Sequence, residues 1–152
     1  MRNLKKIIII ILCVLGVGFL TSLLFKSFAG DTEKVFTTFA VGCIDETGDI
    51  DDSELSIYTK KAIEFEVLVV DWDEEKNGTY QLFFYDEDDE FVSASEVYNA
   101  DAEIEMVEGA TQARLVITPT LEEDDEINFF EVVKYSSYVK LNKEAKAETD
   151  AE

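Results

Sequence analysis

The chain has 152 residues, 47% of them hydrophobic, with eleven Phe and six Tyr, a content too apolar and aromatic for a disordered polymer. All 34 acidic residues follow residue 30, where only nine Lys or Arg oppose them, so this part carries a formal charge of −25 and is repelled by nucleic acid and anionic lipid. With no histidine anywhere, Ser-His-Asp and Cys-His nucleophiles and the HExxH zinc site are excluded, and two cysteines make neither a disulfide framework nor a zinc motif.

Residues 1–6 form a basic tip with Arg2, Lys5 and Lys6. Ile7 to Phe25 follow as nineteen residues without a charge. A helix of that length spans roughly 29 Å, close to the ~30 Å hydrocarbon core of a bilayer. The basic side of a membrane span stays inside, so the sequence predicts a single-pass signal anchor with a cytoplasmic N-terminus and an extracytoplasmic C-terminal domain. Cleavage after Ala29, at the small-x-small site Ser27-Phe28-Ala29, would instead release a secreted domain. Against cleavage stand the length of the apolar run and Lys26 just before the site. Ala40-Val41-Gly42-Cys43 has a loose lipobox form but lies far from the apolar core, so Cys43 reads better as a small strand-end residue. Cys13 sits in the apolar span, and the two cysteines cannot pair within one chain.

After a linker, 26–32, residues 33–142 alternate with period two in short runs broken by acidic or turn segments, as an all-β domain does. Strands are expected over Lys34 to Val41, Ile63 to Trp72, Tyr80 to Tyr85, Phe91 to Tyr98, Ala102 to Val107, Ala113 to Thr118, Ile127 to Tyr135 and Tyr138 to Asn142. Asn77-Gly78 reads as the turn of a hairpin joining the second and third of these as a central pair. Ser53 to Thr59 fits either an edge strand or a helical turn. Pro119 ends a strand. Eight short strands of this spacing predict a two-sheet antiparallel β-sandwich of immunoglobulin or fibronectin III type, with a jelly roll as the second architecture that fits. The Cys…Trp…Cys spacing of true immunoglobulin domains is absent. The tail, 143–152, is polar.

The acids concentrate in Asp45 to Glu54, Asp71 to Glu75, Asp86 to Glu90 and Glu122 to Glu126. Antiparallel strands would put the Asp73 to Asn77 and Glu122 to Glu126 loops at one end and Asp86 to Glu90 at the other. A shared acidic rim raises a calcium reading, with Asp73, Glu75, Asn77, Glu122, Asp124 and Asp125 as candidate ligands. Asp73-x-Glu75-x-Asn77-Gly78 starts like an EF-hand loop, but Phe84 stands at the twelfth position, where a bidentate Glu is required. Asp45-x-x-Gly48-Asp49-x-Asp51-Asp52 is a second run of this kind. The competing explanation is a polar turn plus charges that keep the domain soluble.

Trp72, flanked by Asp71 and Asp73, has the chemistry of a sugar platform, although a lone Trp at a strand end more often caps a core. Tyr58, Tyr98, Tyr135 and Tyr138 could form an exposed aromatic patch, or simply suit strands. Paired carboxylates can hydrolyse glycosides, but they need a cleft that a sandwich of about 110 residues seldom provides, so no enzyme activity is expected. Asn77-Gly78-Thr79 is formally a glycosylation acceptor, for which the turn is sufficient explanation. The composition therefore predicts a membrane-anchored extracytoplasmic binding or accessory module whose partner is an envelope or surface protein with a basic face. A calcium-dependent adhesion or structural module and a secreted polysaccharide-binding domain are the alternatives.

Overall fold

The computed structural model describes residues 32–144. The expected membrane span, the possible cleavage site and most of the polar tail lie outside these residues. No helix among the described residues is long and apolar enough to cross a membrane.

The described residues form an antiparallel β-sandwich. Eleven strands follow in chain order: β1 (Thr32–Lys34), β2 (Phe39–Val41), β3 (Cys43–Ile44), β4 (Ile50–Asp51), β5 (Ile57–Thr59), β6 (Val67–Trp72), β7 (Gly78–Tyr85), β8 (Phe91–Ala94), β9 (Ala102–Glu105), β10 (Gln112–Pro119) and β11 (Val139–Glu144). One sheet has the order β1-β11-β6-β9 and the other β2-β5-β10-β7-β8, with β3-β4 as a separate small hairpin. The pairing is nested: the first half of the chain meets the second half in reverse, β1 with β11, β5 with β10, β6 with β9 and β7 with β8. This is not the ABED/CFG order of an immunoglobulin domain, so that part of the expectation is corrected.

Alternation explains which face each strand buries. Leu68, Val70 and Trp72 of β6 face Tyr80, Leu82 and Phe84 of β7 and Ala113, Leu115 and Ile117 of β10 across the interior. Ile104 is buried while Glu103 and Glu105 are exposed, as expected for the half-exposed strand β9 at a sheet edge. β10 also has an apolar outer face. There Val116 packs with Phe83 and Tyr85 of β7 under Ile44 of the β3-β4 hairpin. This second, smaller core is why Phe83 and Phe84, on opposite faces of β7, are both buried.

Three expected elements differ. First, β6 and β7 are not a hairpin, because they belong to different sheets. Five residues, Asp73 to Asn77, separate them, and the rings of Trp72 and Tyr80 meet 5.1 Å apart in the core. Both strands thus direct large aromatic side chains into the interior from facing sheets. Ile63 likewise bridges to Ala113 in the β10 sheet before the chain crosses to begin β6. Second, Ile127 to Tyr135 is not a strand but a 3₁₀ turn, Phe129–Glu131, leading into a short helix α1, Val132–Ser136. The Asn128 side chain accepts from the Phe130 N–H at 2.9 Å, while Glu131 reaches back to the Asn128 N–H at 3.2 Å, a reciprocal cap that starts the helical turn. Third, Lys34 to Val41 splits into β1 and β2, which serve different sheets, leaving Phe36 between them. In Ser53 to Thr59, a turn at Glu54 and Leu55 precedes strand β5, which is not an edge but lies between β2 and β10, with Ile57 fully buried.

Candidate functional site

Pro119 pairs with Gly78, and the Thr120 N–H donates to the Asn77 carbonyl at 3.1 Å. The Asp73 to Asn77 loop and the segment after Pro119 therefore share one end of the sandwich. Within that end each loop closes its own turn. Asp73 accepts from the Glu75 N–H at 3.1 Å and its carbonyl accepts from Lys76 at 2.9 Å, closing one turn. Asp125 donates its N–H to the Glu122 carbonyl at 3.1 Å, and Asp124 adopts a left-handed φ of 74°, closing another. The six candidate calcium ligands thus fall into two separate turns. Among the described residues, no group of three or more acidic or cysteine side chains converges as a metal site would.

The remaining acidic loops follow the same rule. Asp45 accepts from the Thr47 N–H at 2.8 Å, the Thr47 hydroxyl at 2.7 Å and the Asp49 N–H at 3.0 Å. These hydrogen bonds, the Thr47 hydroxyl foremost, hold the Asp45 carboxyl below its usual range. Asp86 organises the β7-β8 loop similarly, accepting from Asp88 and Glu90, each at 2.9 Å. An aspartate that fills its acceptor sites with its own loop is a turn device.

Trp72 is 3% exposed, with its ring packed on Tyr80 and edge-on to Tyr138 at 5.9 Å. It lies in the core, where no sugar can stack on it. Of the four tyrosines considered for a surface patch, Tyr135 and Tyr138 are buried and Tyr98 stacks on Tyr80 at 5.3 Å. Tyr85 is pushed up to about 12 by burial, its hydroxyl donating to the Gly48 carbonyl at 2.7 Å.

Two groupings escaped the sequence. The first joins Glu54 and Glu126, brought together where the Ile127 N–H donates to the Glu54 carbonyl at 2.6 Å. The two carboxyls hydrogen-bond and repel one another, which raises the Glu54 pKa. They line an open hollow of about 830 Å³ with Cys43, Asp51 and Asp52. A carboxyl whose folded pKa is raised stabilises the fold below its unfolded pKa, and that contribution is lost as pH rises through the folded value. Glu54→Gln is therefore expected to raise the thermal midpoint at pH 7, the gain shrinking toward pH 4. Thermal melts of both proteins across that interval check it, and a gain independent of pH would count against a shared proton.

The second grouping lies on the side of the sandwich between edge strands β1 and β2. There α1 packs against β2, β5 and β10, burying Val132 and Tyr135. Its outer side leaves Val133 77% exposed, and the preceding turn leaves Phe129 77% and Phe130 88% exposed. Phe36, 91% exposed, borders a cavity of about 470 Å³ with Lys34, Thr37, Phe39, Ser136 and Lys140. The Thr37 hydroxyl oxygen is buried there without a hydrogen-bond partner among the described residues. The most exposed aromatic side chains among the described residues are thus Phe36, Phe129 and Phe130, not the four tyrosines weighed as a patch.

These features define a two-sheet antiparallel β-sandwich with self-contained acidic loops and one apolar side. The chain matches no family model, no curated protein and no solved structure.

Proposed function

We propose that the protein is a membrane-anchored extracytoplasmic accessory module, a jelly-roll sandwich held on its surface by the Ile7 to Phe25 span and acting through contacts with neighbouring proteins. The observation that carries this reading is the division of the sequence into a basic tip, an uncharged nineteen-residue run and a remainder after residue 30 in which 34 acids face nine bases. The nested strand pairing supports the jelly roll, since that fold wraps one long antiparallel ribbon so that its first strand lies beside its last. Anchoring confines the domain near the membrane, so a weak contact gains effective concentration toward partners on the same surface. An envelope or surface protein with a basic face is the partner class that the −25 charge favours. Catalysis has no part in this reading; Glu54, whose pKa is raised by the neighbouring Glu126 carboxyl, is solvent-exposed rather than enclosed in a cleft.

Calcium dependence is the second reading, supported by the shared end of the Asp73 to Asn77 and Glu122 to Glu126 loops. Thermal unfolding of the full chain in detergent, with EDTA, calcium, magnesium and matched sodium chloride, separates the two. An acidic surface merely screened by ions rises by the same amount with every salt at equal ionic strength. A rise specific to millimolar calcium would mark a bound ion and favour the calcium-dependent module.

A further inference from the structure

We propose that the side of the sandwich closed by α1, bearing Phe36, Phe129, Phe130 and Val133, lies against the lipid surface. The inference rests on the anchored reading above and adds an orientation to it. Isolated exposed apolar residues are ordinary, but four side chains between 77% and 91% exposed, three of them Phe, on one side of a small domain require a cover.

The charge of this side says which cover. Lys34 and Lys140 border the Phe36 cavity and Lys134 projects from α1. Two acids of this side are opposed, Glu131 by Lys134 at 4.0 Å and Asp71 by Lys140 at 3.7 Å, while Glu126, three residues before Phe129 in the chain, lies against Glu54 rather than a lysine. A face mixing phenylalanine with lysine matches the headgroup layer, where aromatic rings and snorkelling lysines settle. The acidic remainder would be turned away from the membrane. Chain length permits the contact, because eleven residue steps from Phe25 to Phe36 extend to at most ~40 Å.

The test uses the full chain, with Cys13→Ser and Cys43→Ser, carrying one environment-sensitive fluorophore at Ser137→Cys beside α1 or at Glu103→Cys on the distant edge strand β9. Each protein is moved from detergent into phosphatidylcholine vesicles and floated on a density gradient. The expected result is flotation of both, with a blue shift of the Ser137→Cys label alone. Replacing the two exposed rings, Phe129→Ser with Phe130→Ser, abolishes that shift without altering the melting transition. Flotation with no shift at position 137 overturns the docking face and leaves the anchor standing. A shift that appears only as protein density in the vesicle rises assigns the face to a second copy and also overturns it. Failure to float removes the anchor, and the docking face with it.

Discussion

Trp72→Ala is expected to destabilise the domain by about 3–5 kcal/mol, the usual cost of deleting a buried aromatic side chain and leaving a cavity. The ring sits between Tyr80 and Tyr138 at the end of β6, and the strand opposite it, β11, begins at Val139 in register with Trp72. Its loss therefore loosens both the contact between sheets and the start of the last strand. The Trp72 N–H also donates to the Asp101 carboxylate at 2.7 Å, which ties β6 to the segment leading into β9, and this bond survives the substitution because it is made by the backbone. Chemical denaturation measures the effect. A loss below about 1 kcal/mol, with folding intact, would mean that the ring is not buried as described.

Gly78→Ala is expected to cost about 2 kcal/mol or more, from close contact and an unfavourable backbone conformation together. Gly78 has φ of 154°, and a Cβ there would lie 2.9 Å from both the Pro119 Cα and the Thr118 carbonyl oxygen. Those are backbone atoms of the paired strand, so relief requires separating β7 from β10. Asn77→Ala is the informative comparison, because Asn77 contributes its carbonyl to Thr120 and keeps that bond when its side chain is shortened. Denaturation midpoints of the two variants should differ strongly, with Gly78→Ala much the weaker protein. Equal midpoints would contradict the close approach of β7 to β10.

The strands themselves were largely legible. Ala102-Ile104-Met106 alternates with Glu103 and Glu105, Ala113-Leu115-Ile117 recurs with period two, and β9 and β10 lie where those patterns put them. Partnership was not legible, because alternation names a face and not a neighbour. Asn77-Gly78 looked like a hairpin turn, yet β6 and β7 pair with β9, β11, β8 and β10 instead of each other. The helical turn at Phe129 to Ser136 was announced by Asn128 and Glu131 at capping-box spacing, a signal masked by a run of aromatic and β-branched residues that suits strands.

Among the functional candidates, the end shared by two acidic loops followed from antiparallel strand order, and the Thr120 to Asn77 hydrogen bond agrees with it. What each acid does there could not be read, since an aspartate that serves its own turn, as Asp73 does, looks in sequence like a cation ligand. The Glu54 and Glu126 pair depends on contacts across 72 positions of chain, which no local motif reports. The apolar side escaped for a related reason. Phe129, Phe130 and Val133 read as strand residues until a helical turn places them outward while Val132 and Tyr135 face in.

Topology is the most direct test of the central claim. Intact cells producing the full chain, tagged at both ends, would be treated with an external protease, and the membranes then extracted with alkaline carbonate. An anchored extracytoplasmic module loses its C-terminal tag to the protease, keeps its N-terminal tag, and stays with the membrane pellet. A C-terminal tag protected in intact cells, or a chain released by carbonate, would contradict that placement.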